Sequence, residues 1–100
     1  MAKGYLLVEV AIPDAAAYRA SGYMAMAQAS VAAHGGRFMV RGGDPEVLEG
    51  AGLPDRIVIL EFPSREAARR FADSADYAPA RALRQSLSSA RMVLLSEYEG

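Results

Sequence analysis

Two arginines, Arg37 and Arg41, stand four positions apart in the stretch HGGRFMVRGG, which also holds the chain's single histidine, His34. Arginine is a permanently charged planar fork suited to a carboxylate or phosphate, so Arg41 is the first candidate to anchor an anionic small molecule. Gly42 and Gly43 follow it directly and would let backbone approach a ligand closely or bulge. Glu9 and Glu61 are candidate general acids or bases if burial raises their pKa towards neutrality. Histidine as a residue type titrates near neutral pH, which makes His34 a candidate proton shuttle. Tyr77, after Asp76, could bring a hydroxyl to the mouth of a cavity. The catalytic candidates are therefore His34 and Glu61, and the ligand-binding candidates are Arg41, Glu9, Arg37 and Tyr77.

Each also has a structural reading. Glu9, Arg37, Glu61 and Arg91 can pair across strands, and Tyr77 can pack in the first turn of a helix. His34 can complement the negative end of a helix dipole. Arg41 can pair with an acidic group of a second copy, such as Glu49. Neither glycine pair matches GxGxxG or GxxxxGK[ST], which sets a phosphate loop aside. With no cysteine and one histidine, the chain lacks the ligands of a transition-metal site, and no cofactor is expected.

The chain that must position these residues has 100 residues, 52% of them hydrophobic and 23% charged, which makes one domain over residues 1–100. A net charge of -1 with mixed signs offers no field to draw nucleic acid or anionic membrane. No run approaches the ~18 apolar residues of a membrane span, and no signal-peptide pattern develops before Pro13 and Asp14. A soluble cytoplasmic protein is expected.

A strand is predicted over Gly4–Ile12, then a helix over Asp14–His34 that stops at Gly35 and Gly36. Strands follow over Arg37–Arg41 and Arg56–Phe62, joined by a glycine-containing connection from Gly42 to Pro54. A helix over Ser64–Ser74, a further helical turn or two after Asp76 or Ser74 with Pro79 in its first turn, and a last strand over Arg91–Tyr98 complete the chain. The order β-α-β-β-α-β is the ferredoxin-like arrangement of the α+β class. Right-handed crossovers then give a four-stranded antiparallel sheet of order 4-1-3-2 with both helices on one face.

Strict alternation assigns Leu6, Val8, Val10, Phe38, Val40, Val58, Leu60, Phe62, Met92 and Leu94 to the helix side. The other face holds Tyr5, Leu7, Met39, Ile57, Ile59, Val93 and Leu95 among Glu9, Arg37, Arg41, Glu61, Arg91 and Glu97. Leaving seven such side chains wet would forfeit about 1.5 to 3 kcal/mol each, so two sheets are expected to pack face to face in a two-fold homodimer around a mixed apolar and charged cavity. A register with Arg41 opposite Ile57 puts Arg37 opposite Glu61, and one with Glu9 opposite Arg91 puts Lys3 opposite Glu97. Such cross-strand pairs contribute roughly 0.2 to 1 kcal/mol each.

The runs GGRFMVRGG, VLEG, PDRIVILEFPS and DSADYAPARALRQS resemble, over nearly the whole chain, a family of small bacterial proteins of unknown function in the dimeric α/β-barrel superfamily. Matching positions are Gly35, Gly36, Arg41, Gly42, Gly43, Glu49, Gly50, Arg56, Glu61, Phe62, Pro63, Ser64 and Tyr77. The resemblance implies the ferredoxin-like fold and the face-to-face dimer. The superfamily also includes cofactor-independent monooxygenases, muconolactone-type isomerases, chlorite dismutase-like haem proteins and stress-response dimers, so it leaves the chemistry open. The expected function is a homodimeric protein binding a small apolar or anionic metabolite between its sheets, extending to a cofactor-independent isomerase or monooxygenase. The alternative is a non-catalytic dimerisation or regulatory module in which every inner-face charge is paired.

Overall fold

Burial alternates residue by residue along Gly4–Ala11, so this first strand, β1, has one face in a core and one face open. The computed structural model describes residues 2–100. After β1 come α1 (Ala15–Ala20), α2 (Tyr23–Ala33), β2 (Arg37–Gly42), β3 (Arg56–Phe62), α3 (Arg65–Asp73), α4 (Ala78–Leu87) and β4 (Ser89–Ser96). The four strands form one antiparallel sheet in the order β2-β3-β1-β4, the ferredoxin-like order expected. The smallest dimension of the molecule is 16 Å, the thickness of one sheet and one helical layer. Among the described residues no helix is long and apolar enough to cross a membrane.

The helix expected over Asp14–His34 is two helices. Asp14 caps the first by accepting from the Ala17 amide at 3.0 Å. Ser21 then turns its hydroxyl back onto the Tyr18 carbonyl at 2.7 Å, and Gly22 adopts φ 84, a left-handed conformation that breaks the ladder before Tyr23. The break lets Tyr18 and Tyr23 meet, with ring centroids 5.7 Å apart. The turn or two expected after Asp76 is a full helix of 10 residues, with Pro79 in its first turn. Ser74 accepts from the Tyr77 amide ahead of it, and β4 starts two residues earlier than expected, at Ser89.

Leu6, Leu60 and Phe62 from the sheet meet Phe71, Tyr77 and Val31 from the helices in a continuous core. Phe71 lies between Phe62 and Tyr77, at centroid distances of 5.2 and 4.5 Å. Each of these large side chains stabilises the fold by about 1.5 to 3 kcal/mol through burial alone.

The register corrects the assignment of β2. Arg37 faces Glu61 and Phe38 faces Leu60, as expected, but Met39 is an extra residue, so that Val40 faces Ile59, Arg41 faces Val58, and Gly42 faces Ile57. A bulge of this kind opposes two residues to one and reverses the faces beyond it. Val40 therefore turns to the open face and Arg41 to the helix side, the opposite of the alternation reading. The strands on either side are regular: Tyr5 faces Glu61, and Glu9 faces both Ile57 and Arg91.

Candidate functional site

Arg41 is held beneath α2. Its Nη2 donates to the Met24 carbonyl at 2.7 Å, its Nη1 donates to Gln28 Oε1 at 3.2 Å, and the guanidinium lies 4.0 Å over the Phe38 ring. All of these partners are neutral. Burial, and then the charge of nearby Arg56, pull its pKa below the usual arginine value, although a guanidinium keeps its proton at any working pH.

Arg41 borders a cavity of about 30 Å³ between sheet and helices, with Val8, Val10 and Val58 on its floor. That is space for about two water molecules or the end of a small ligand. Polar atoms enter from the helices and from the end of β3. Tyr23 and Tyr77 join their hydroxyls at 2.7 Å, and Arg84 Nε donates to the Tyr77 hydroxyl at 3.4 Å. The Tyr18 hydroxyl has no hydrogen-bond partner among the described residues. Burial raises the pKa of Tyr18 and Tyr23, so both stay protonated and can serve as donors. Arg56 reaches the rim beside Gly42, whose φ of 90 suits glycine and where a Cβ would lie 3.2 Å from Arg56 Nη1. Among the described residues no carboxylate lies within 4.0 Å of Arg41, Arg56 or Arg84.

Tyr77 does not reach a cavity between sheets, as expected of it; it is 1% exposed, beneath the helices, and shares the inner pocket with Arg41. The remaining candidates lie elsewhere. Glu61 is on the open face, accepting from Arg37 Nε at 2.9 Å and from the Tyr5 hydroxyl at 3.4 Å, with Lys3 Nζ at 3.7 Å. The hydrogen bond from Arg37, with the Arg37 and Lys3 charges, holds its carboxyl below the usual carboxylate range. It is thus a fixed carboxylate, opposite to the raised pKa a neutral-range proton carrier needs. Glu9 pairs with Arg91 at 3.3 Å, four residues from Tyr5 along β1, roughly 13 Å from Glu61's place in the ladder. His34 closes α2 on the helix side, where Nε2 meets Asp76 Oδ2 at 3.2 Å and the ring stands edge-on to Phe71. His34 and Glu61 occupy opposite sides of the sheet and form no catalytic pair.

Sequence reasoning missed Tyr18, Tyr23, Arg56 and Arg84. One signal was available: Tyr77, Ala80 and Arg84 fall at i, i+3 and i+7, an inward stripe that ends in a charge. The two tyrosines are masked by the alanines around them, which blur the buried face. Among the described residues no group of three histidine, aspartate or glutamate side chains could hold a metal ion.

Residues 3–98 match the model of a protein family described as Domain of unknown function (DUF1330). No curated protein matches the chain. Among solved structures, RPA0582 of Rhodopseudomonas palustris, a protein of unknown function, is similar at a TM-score of 0.73 and 19% identity, over 98% of this chain and 84% of that one. SnoaB of Streptomyces nogalater, a cofactor-independent oxygenase, is similar at 0.65 and 17%, over 100% of this chain and 97% of that one. Rv0793 of Mycobacterium tuberculosis is similar at 0.57 and 18%, over 100% of this chain and 98% of that one. At these identities the likeness establishes the shared fold.

Proposed function

This chain belongs to the DUF1330 family, a family of unknown function, and from that premise we propose that it is a homodimeric small-molecule-binding protein whose binding pocket lies between the sheet and the helices. The observation that carries the reading is the inner cavity, apolar on the sheet side and bordered by arginine and tyrosine groups with no carboxylate among them. Binding sites combine an apolar lining with a few convergent polar groups in this way. The pocket replaces the chamber between two sheets as the place for a ligand, because Arg41 and Tyr77 both belong to it.

The open sheet face is the partner surface in this reading. Leu7, Ile57, Ile59 and Val93 stay partly exposed there, and Met39 and Leu95 are 45% and 43% exposed. Apolar groups this contiguous are stabilised by covering, and a second copy presents the same pattern. The ion pairs of Glu61 and Glu9 on this face favour a second reading, a non-catalytic dimerisation or regulatory module. A cofactor-independent isomerase or monooxygenase is the enzymatic extension of the first reading; the fold shared with SnoaB supports it.

Ligand-dependent melting tests the pocket. A library of small metabolites is screened against the chain and against Ala27→Leu, which narrows the cavity. Compounds that raise the melting temperature of the first and not of the second are expected, and their complete absence would overturn the reading. Sedimentation of the intact chain and of Ile59→Lys tests the dimer: two subunits for the first and one for the second are expected.

A further inference from the structure

We propose that the inner pocket selects a carboxylate, the charged end of a small organic acid whose apolar body rests on Val8, Val10 and Val58. The inference deepens, and rests on, the reading of this cavity as a ligand site. It comes from counting charges and hydrogen-bond donors.

Three guanidinium groups approach the cavity. Arg84 is only 6% exposed, and its guanidinium is directed at the tyrosine pair, with Nε donating to the Tyr77 hydroxyl. Arg41 uses two of its five donors, both on neutral acceptors, and the Arg56 guanidinium has no hydrogen bond among the described residues. Arg84 is the buried one of the three, a buried cation without a counter-ion is costly, and a chain of net charge -1 has acids enough to supply one. None is supplied within 4.0 Å among the described residues.

The hydroxyl protons point the same way. Arg84 can only donate, so the Tyr77 oxygen accepts from it. Tyr23 and Tyr77 carry two hydroxyl protons, and the 2.7 Å bond between them uses one. The other has no acceptor among the described residues. Tyr18 adds a further hydroxyl with no protein partner, one that keeps some accessible surface of its own. The pocket therefore has surplus donors and surplus positive charge that keep access to solvent, and an anionic acceptor is the group that would engage them together. A carboxylate offers two oxygens and about four lone-pair sites, and matches a guanidinium fork in plane and spacing. The cavity's size fits that group and little more, which places the rest of the ligand along the apolar lining towards the rim.

Amide NMR titration of the intact chain with sodium acetate and with acetamide, at constant ionic strength in chloride, separates charge from shape, since the two probes are nearly isosteric. Acetate is expected to shift the amides around Tyr18, Tyr77 and Arg84 and to bind about tenfold or more tightly than acetamide. Arg84→Met is expected to abolish the preference, and Tyr18→Phe, which keeps the ring packing, to reduce it several-fold. Equal binding of both probes at the pocket overturns the carboxylate inference and leaves the ligand-site reading standing. Failure of acetate to bind at the pocket also overturns the inference; the metabolite screen then decides the broader reading. A preference for acetate that survives in both variants places the anion elsewhere and overturns it as well.

Discussion

Arg41 stands across the ladder from Val58, one position out of step with the pairing that joins Arg37 to Glu61. The extra residue between them, Met39, sends two arginines four positions apart to opposite sides of one sheet. Deleting Met39 is expected to close the bulge into a regular ladder that keeps Val40 opposite Ile59 and Arg41 opposite Val58, with Arg41 still bonded to the Met24 carbonyl. Its guanidinium protons are expected to be protected from exchange to a similar degree in the parent chain and in the variant. Loss of that protection in the variant would show that Met39 is not the extra residue that sets the register of Arg41.

Tyr77→Phe should destabilise the fold. The Tyr23 hydroxyl, bonded to it at 2.7 Å, would remain buried without that partner, at a cost of about 1 to 3 kcal/mol by urea denaturation. The double variant Tyr23→Phe/Tyr77→Phe should cost less than the sum of the two single changes, because it leaves no orphaned hydroxyl. Strict additivity would argue against the bond.

Glu61 predicts a pH dependence with a definite sign. Its pKa is depressed in the folded chain, first by the hydrogen bond from Arg37, so the pair stabilises the fold above the unfolded carboxylate's pKa. That contribution is lost as pH falls through the lower, folded value. The melting temperature of the parent chain should therefore fall more steeply on acidification through the carboxylate range than that of Glu61→Gln. Parallel curves would remove Glu61 from the account.

Gly22→Ala should cost about 1 kcal/mol. A Cβ there meets nothing within 4 Å, so the penalty is that of holding alanine at φ 84 rather than of a clash. Chemical synthesis with D-alanine at position 22 should restore the parent stability, which separates torsion from packing.

The sheet order, the pairing of Arg37 with Glu61 and that of Glu9 with Arg91 could all be read from alternation and charge, because β1 and β3 are regular and buried on one side. The bulge left no such trace. Phe38, Met39 and Val40 are all apolar, so the stretch reads equally well in either register and alternation alone put Arg41 on the wrong face. The break at Gly22 was hidden by alanine, which fits both an unbroken helix and two shorter ones. The inner pocket depends on both features: the break brings Tyr18 and Tyr23 together, and the bulge brings Arg41 beneath them. Its polar groups come from α1, α2, β2, β3 and α4, and only the folded chain collects them.

One layer of backbone separates the two chemistries of this molecule. In the dimer proposed above, outward substitutions at Leu7 or Ile59 would act on the pairing surface while Tyr18 and Arg84, on the far side, keep their surroundings. Inward substitutions would act on the proposed pocket and leave that surface untouched. A sheet one residue thick thus lets the two faces of this fold vary independently of each other.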